Sequence, residues 1–225
     1  MGIETEAHQE EEPPAPARLP ADLIGPVVGG LRSNDHIADA TTVPLLDPSE
    51  CDAFLEDLDE TAWQRMKVWQ SPVQDSGAPA PSRGVTDEKV RRGLQQPVPG
   101  GNSGPLASLI TEQVFRVNRD VYGFRLVGVE HPVQLLRYGA ESSDGYVEHI
   151  DLGPTTSLRK LSFSLLLSDP TSFDGGDLSF GSPLALARAQ GTLTVFPSYL
   201  SHAVTPVTSG TRYTVVGFAI GPAFR

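Results

Sequence analysis

His149 and Asp151, separated only by Ile150 in the stretch GYVEHIDLG, are of the types and spacing that could hold one metal ion. Alternate residues of a strand point to one face, so imidazole and carboxylate would converge while Ile150 packs on the other side. His202, in FPSYLSHAVTPV, is a third candidate ligand from a separate strand, and Arg212 follows ten residues later in SGTRYTVVGF. Two histidines and one carboxylate on one face leave the opposite coordination positions open, a donor set suited to iron. The expected chemistry is an oxygenation that uses those positions for a co-substrate and oxygen.

The pair alone is a weak signal, because two such residues on an exposed strand often arise by chance. The alternative for His202 is a structural histidine satisfied by a backbone carbonyl, and for Arg212 a surface or interface arginine with a salt bridge. Taken together the residues say more. A buried arginine needs an anionic partner, and its planar guanidinium matches a carboxylate through two parallel charge-assisted hydrogen bonds. A dicarboxylate co-substrate chelating the metal at one end could place its other carboxylate on Arg212. Thr214, two residues on and on the same strand face, could donate its hydroxyl to that carboxylate. His8, His36 and His131 are assigned to structure or solvent. Arg137, Arg159 and Lys160 flank the motif strands and could recognise a substrate carboxylate, although such charges are more often solvated.

The elements that must position these residues follow from the pattern of the chain. Residues 1–20 (MGIETEAHQEEEPPAPARLP) are acidic and proline-rich, a composition that buries too little apolar surface to offset its ordering entropy, so a disordered tail is expected. In LDPSECDAFLEDLDETAW, Asp47 reads as an N-cap, Pro48 as the first helical residue and Glu50 as the third. Phe54, Leu55 and Leu58 form its apolar stripe. Residues 70–104 are rich in turn-formers and read as long loops around the basic residues Lys89, Arg91 and Arg92, a candidate substrate lid. A second helix is expected over GPLASLITEQVFRVNRDVY, with Leu106, Leu109, Ile110, Val114 and Val117 recurring at three and four. After Gly123 the pattern turns to strands: FRLVGVE, PVQLLRY, GYVEHID, KLSFSLLLS, DLSFG, GTLTVFP, SHAVTPV and RYTVVGFAI. The fold expected is mainly β with flanking N-terminal helices, a double-stranded β-helix of the jelly-roll, cupin-like kind. One domain over 21–225 is expected, with helical and loop support in 21–122 and the jelly-roll core in 123–225.

Charge and cysteine content exclude several classes. The 225 residues carry a formal net charge of −11, and Glu4, Glu6, Glu10, Glu11 and Glu12 concentrate much of it in the tail. Nucleic-acid binding is not expected, because no clustered Lys and Arg supply a phosphate footprint. Cys51 is the single cysteine, so there is no intrachain disulfide or thiolate cluster. No apolar run approaches the roughly 20 residues of a membrane span, and no secretory signal is visible, so a cytoplasmic location is expected.

The segments GYVEHID, LSFSLLLSDPTSFDGGDLSF and GTLTVFPSYLSHAVTPVTSGTRY resemble the iron(II)- and 2-oxoglutarate-dependent oxygenases of the prolyl 4-hydroxylase superfamily, especially the bacterial PKHD-type hydroxylases. The resemblance covers residues 131–220 and includes the Asp-Gly-Gly-Asp-Leu turn and the Pro-Val-x-x-Gly-x-Arg segment. It implies that His149, Asp151 and His202 bind iron(II) and that Arg212 holds the C5 carboxylate of 2-oxoglutarate. Tyr138 is implied as a further co-substrate contact, with Tyr146 as its competitor. Tyr146 and Arg137 are also candidate substrate contacts. Gly175 and Gly176 are expected to serve a tight turn. The resemblance further implies O2 as oxidant, ascorbate as a reductant, and hydroxylation of an unactivated C–H bond with release of succinate and CO2. The carboxylate at Asp151 favours hydroxylation over the halogenation of relatives that carry a small residue there. Desaturation or ring formation stays open. The family's usual tryptophan after the arginine is absent, with Phe218 near its place. The expected partner is a small amino-acid-like or natural-product substrate, with a prolyl-type peptide as the alternative. A non-catalytic jelly-roll binding protein and a zinc hydrolase on the same ligands are the competing classes.

Overall fold

The computed structural model describes residues 39–70, 83–181, 186 and 188–224. The expected tail and both His8 and His36 lie outside the described residues, as do 71–82 of the expected lid. Strand β1 (Thr41–Pro44) leads into helix α1 (Pro48–Glu56). Glu50 Oε2 accepts the backbone N–H of Asp47 at 2.7 Å, which satisfies a donor at the helix entrance. Phe54, Leu55 and Leu58 pack on the main core as expected, and Cys51 is fully buried in it. Burial and the neighbouring Asp52 and Glu50 push the Cys51 thiol up to about 11, so it is a protonated core residue rather than a nucleophile.

The short strands β2 (Gln64–Arg65), β3 (Val68–Gln70), β4 (Arg83–Val85), β5 (Arg91–Arg92) and β6 (Leu94–Pro97) precede helix α2 (Pro105–Val117). Helix α2 buries Leu106, Ala107, Ile110, Val114 and Val117. Leu109, expected in that stripe, is 40% exposed, and Ala107 takes its place because the buried face is turned by part of a residue step. A π-helical turn over Asn118–Tyr122 closes the helix. The Asn118 side chain then holds Phe124, accepting its N–H at 2.9 Å and donating to its carbonyl at 2.8 Å.

The remainder is strand: β7 (Gly128–Val129), β8 (Gln134–Gly139), β9 (Gly145–His149), β10 (Arg159–Leu166), β11 (Phe173–Gly175), β12 (Leu178–Ser179), β13 (Thr192–Pro197), β14 (His202–Val204) and β15 (Val207–Ile220). Among the described residues they form a large antiparallel sheet in the order β1-β13-β10-β15-β8-β6-β2, with β7 and β11 also pairing β15. A smaller sheet has the order β12-β14-β9-β5, and β3 and β4 form a hairpin. This is the double-stranded β-helix expected of the sequence. The reading of 83–97 as loop is corrected. Within this stretch 83–85, 91–92 and 94–97 pair as strands, because β4 extends the edge of β3, β5 the edge of β9, and β6 the edge of β8. The expected strand over FRLVGVE shrinks to two residues, while β11 and β1 were not anticipated.

The two-residue period of the large sheet separates core from cavity. Leu161, Phe163 and Leu165 of β10, Leu135 of β8, and Val215 and Ala219 of β15 face the helices, in one cluster with Ile110 and Val114. Fully burying each such aliphatic side chain stabilises the fold by about 1.5–3 kcal/mol. The alternate residues Ser162, Ser164, Leu136, Tyr138, Arg212, Thr214, Val216 and Phe218 line a cavity on the opposite face. Among the described residues no helix is long and apolar enough to cross a membrane.

Candidate functional site

His149 closes β9 and His202 opens β14, and the two are register partners across the small sheet. The chain leaves the strand at His149 and turns, so Asp151 reaches the same point from a bend rather than from a strand face. Two backbone bonds hold it there: the N–H groups of Asp151 and Leu152 both donate to the Ser198 carbonyl, at 2.9 and 3.0 Å. Ile150 consequently does not pack on a far side. It is 52% exposed and sits on the wall of the cavity.

The three ligand atoms lie within 4.8 Å of one another. His149 Nε2 is 3.6 Å from Asp151 Oδ1, and His202 Nε2 is 3.4 Å from Asp151 Oδ2. Each imidazole is oriented by its other nitrogen. His149 Nδ1 donates to the Val147 carbonyl at 2.8 Å and His202 Nδ1 to the Leu200 carbonyl at 2.9 Å. A carbonyl can only accept, so Nδ1 carries the proton and the neutral form of each ring presents its Nε2 lone pair to the common centre. Burial pulls His202 below the usual imidazole range, towards its neutral form. Burial alone would raise the Asp151 carboxyl, but the adjoining His149 and His202 imidazoles and the Ser162 hydroxyl reverse this to a net lowering. Two imidazole nitrogens and one carboxylate oxygen thus converge, a donor set that fits a divalent transition metal.

Ser162 donates to Asp151 Oδ2 at 2.7 Å and lies 3.0 Å from the Ser198 hydroxyl. Neither serine was singled out in the sequence, although the alternation in KLSFSLLL places polar residues where a doubly buried strand would be apolar. Ser162→Ala is expected to lower metal affinity about 10–100-fold, the usual cost of removing such an orienting bond. Titration of the variant with iron(II) or manganese(II) checks this, and unchanged affinity would show that the bond has no orienting role.

Arg212, paired in register with Tyr138, is 4% exposed and makes no ion pair among the described residues. Its Nη1 is buried with no hydrogen-bond partner among the described residues, and its guanidinium lies 5.7 Å from the Tyr138 ring centroid. Burial pulls it below the usual arginine value, yet a guanidinium stays charged at neutral pH. Such an orphaned cation is costly in a folded protein and marks a place for an anion. Thr214 lies beside it, with its hydroxyl donating to the Leu165 carbonyl and 2.8 Å from Ser164 Oγ. Gly176, at φ +64°, makes room for the arginine: a Cβ there would stand 2.9 Å from Val207 Cγ2 and 3.0 Å from Arg212 Cδ. Gly176→Ala is therefore expected to cost about 1–3 kcal/mol through strain and to displace the guanidinium. Thermal melts and co-substrate saturation curves read the two effects separately.

Tyr146 stacks on His149 with ring centroids 3.5 Å apart, and Arg91 lies over Tyr146 at 4.8 Å. Tyr138 and Tyr146 both line the cavity, as do Arg159 and His131. His131 was assigned to structure or solvent and instead stands on the cavity wall. Arg159 donates bidentately to Glu130 at 2.7 Å and lies over Phe218 at 3.5 Å. Arg137 is not brought to the cavity. It alternates with Leu136 and Tyr138 on β8, points to the other face, and pairs with Glu141 at 2.7 Å. Lys160 likewise lies elsewhere, over Phe224 at 3.8 Å. Arg91 and Gln95, from the region expected to form the lid, line the cavity, and Lys67 and Glu130 join them without having been anticipated.

Residues 133–220 match the family described as the 2OG-Fe(II) oxygenase superfamily. A PKHD-type hydroxylase of Prochlorococcus marinus (strain MIT 9303) is 30% identical over 181 residues, covering 78% of this chain and 75% of that protein. A PKHD-type hydroxylase of Hyphomonas neptunium is 30% identical over 143 residues, and this match spans 62% of its length, less than two thirds. Among solved structures, a Pseudomonas putida prolyl-4-hydroxylase superposes with a TM-score of 0.59 at 17% identity, over 84% of this chain and 97% of that one. A Trichoplax adhaerens prolyl hydroxylase, solved in complex with a hypoxia inducible factor peptide fragment, superposes with a TM-score of 0.58 at 16% identity, over 81% and 84%. These two share the fold. By its sequence relatives and its double-stranded β-helix, the chain belongs to the 2OG-Fe(II) oxygenase superfamily.

Proposed function

We propose that the protein is an iron(II)- and 2-oxoglutarate-dependent hydroxylase in which His149, Asp151 and His202 hold the metal and Arg212 holds the distal carboxylate of 2-oxoglutarate. The observation that carries this reading is the buried Arg212, orphaned at Nη1, on the wall of the cavity that also contains the three converging ligands. A zinc hydrolase on the same ligands would leave that cation without a purpose. Iron(II) held by these residues would, with 2-oxoglutarate and O2, supply the oxidising power for C–H hydroxylation, one oxygen atom going to the substrate and the other to the succinate that 2-oxoglutarate yields with loss of CO2. The residues of this chain do the rest. The Nδ1–H bonds to Val147 and Leu200 keep both imidazoles in the ligating tautomer, Ser162 orients the carboxylate, and Tyr146 covers one face of His149. Leu136, Val216 and Phe218 give the cavity apolar walls that exclude water.

The cavity measures about 360 Å³, at the small end for ligand sites. With a co-substrate inside, it accommodates a group of side-chain size. That supports oxidation of an amino-acid-like carbon chain or ring. A second reading, prolyl-type hydroxylation of a peptide, is supported by the peptide-bound structural relative and the PKHD-type relatives. Anaerobic loading with iron(II) and 2-oxoglutarate, then O2 with free amino acids or proline-containing peptides, tests both by mass gain of one oxygen atom. Succinate formed with iron(II) but not zinc supports the oxygenase. No succinate and no 2-oxoglutarate binding would overturn it in favour of a non-catalytic jelly roll.

A further inference from the structure

We infer that Lys67 and Arg91 form an anion-binding subsite on the wall of this cavity, which takes a carboxylate of the molecule being hydroxylated; the inference rests on the hydroxylase reading above. Four buried side-chain atoms lack a hydrogen-bond partner among the described residues: Trp63 Nε1, Gln96 Nε2, Arg212 Nη1 and Arg91 Nε. The two that are guanidinium nitrogens both belong to side chains lining the cavity, and the other two do not. An unsatisfied buried donor on a cation is the group most in need of an anion.

The charges of the wall support the same assignment. Asp151 and Glu130 are the only acidic residues lining the cavity among the described residues. Glu130 is committed to Arg159 through two bonds at 2.7 Å. Asp151 faces the two histidines. When a divalent metal sits against Asp151 and a dicarboxylate against Arg212, those charges cancel. Lys67 and Arg91 then remain as cations with no carboxylate partner among the described residues. The two residues are also held together: Arg91 Nη1, on β5, donates at 3.3 Å to the carbonyl of Lys67 in the link between β2 and β3. Lys67 lies over Gly84, where a Cβ would come within 3.1 Å of its Cδ. Arg91 rests on Tyr146, which stacks on the ligand His149. An anion on Arg91 is thus two side-chain contacts from the metal site, a separation suited to a carboxylate on the same small molecule or neighbouring residue as the oxidised carbon. Arg159, Arg137 and Lys160, the cations favoured by sequence, are neutralised or lie outside the cavity.

Calorimetric titration of the full chain, loaded anaerobically with iron(II) and 2-oxoglutarate, tests the subsite without turnover. One arm uses free amino acids and their primary amides. The other uses proline-containing peptides with Asp or Glu and their Asn or Gln counterparts. At least one acid is expected to bind on the order of tenfold to a hundredfold more tightly than its amide, the range for a hydrogen bond to a charged group. The arm that shows the preference identifies the carboxylate as free or peptide-borne. The preference should collapse towards parity in Lys67→Met and Arg91→Met and survive largely in Arg91→Lys. Lys67 is exposed, so its variant remains informative if Arg91→Met fails to fold. No acid preference in either arm, or one that persists in Lys67→Met, overturns the subsite. If the wild type gives no metal-dependent 2-oxoglutarate heat, the hydroxylase reading fails, and the subsite's assignment to its substrate fails with it.

Discussion

Asp151→Ala is expected to abolish succinate formation, a loss of more than about a hundredfold, because even an outer orienting contact costs 10–100-fold and this change removes a ligand itself. Two imidazoles would remain with no anionic oxygen to oppose a divalent charge. The fold should survive. The backbone bonds of residue 151, its N–H to Ser198 and its carbonyl from Thr156 at 2.8 Å, do not depend on the side chain. The substitution also removes a buried carboxylate whose charge burial disfavours. The check is a pair of measurements, circular dichroism to show the fold and metal titration with succinate assay to show the site. Full turnover in the variant would eliminate the assigned ligand set.

Arg212→Met should separate stability from activity in opposite directions. Two charge-assisted bonds to a carboxylate, at about 1.5–3 kcal/mol each, correspond to a rise of about two orders of magnitude or more in the KM for 2-oxoglutarate. In the ligand-free protein the same arginine is a buried charge with no ion-pair partner among the described residues and an orphaned Nη1. Replacing it with an apolar side chain of similar length should leave the melting temperature unchanged or raised. A functional site of this kind holds its cation at a cost that only the ligand offsets. Added 2-oxoglutarate should therefore raise the melting temperature of the wild type and not that of the variant. An unchanged KM, or a destabilised variant with normal saturation, would refute the role.

Much of the fold was legible because it is written in local chemistry. Pro48 and Glu50 mark the start of α1, the three-and-four spacing marks α2, and turn residues bracket the strands after Gly123. The two-residue alternation in β10 and β15 was legible too, although Ser162 and Ser164 were passed over. The strands between 83 and 97 were not legible. They are short and rich in polar and turn-forming residues, and they exist because β8, β9 and β3 offer open edges. Leu109 and Ile150 were misplaced for a related reason: a helix stripe or strand face predicts a direction, but the neighbouring element and the bend after His149 decide which side is covered.

The sequence by itself determined the donor types: two histidines, one aspartate and an arginine, in an order and context that select one family. Those are properties of residue identity and spacing, so they survive without coordinates. Only the tertiary structure decided the convergence of His149, Asp151 and His202, the isolation of Arg212, the neutralisation of Arg159 by Glu130 and the arrival of Lys67 and Arg91 at the cavity. These depend on contacts between segments far apart in the chain. A charge's meaning depends on what lies within hydrogen-bonding distance, and no local pattern specifies that. The same arginine type is solvated when paired with Glu141, inert when paired with Glu130, and poised for a ligand when left alone.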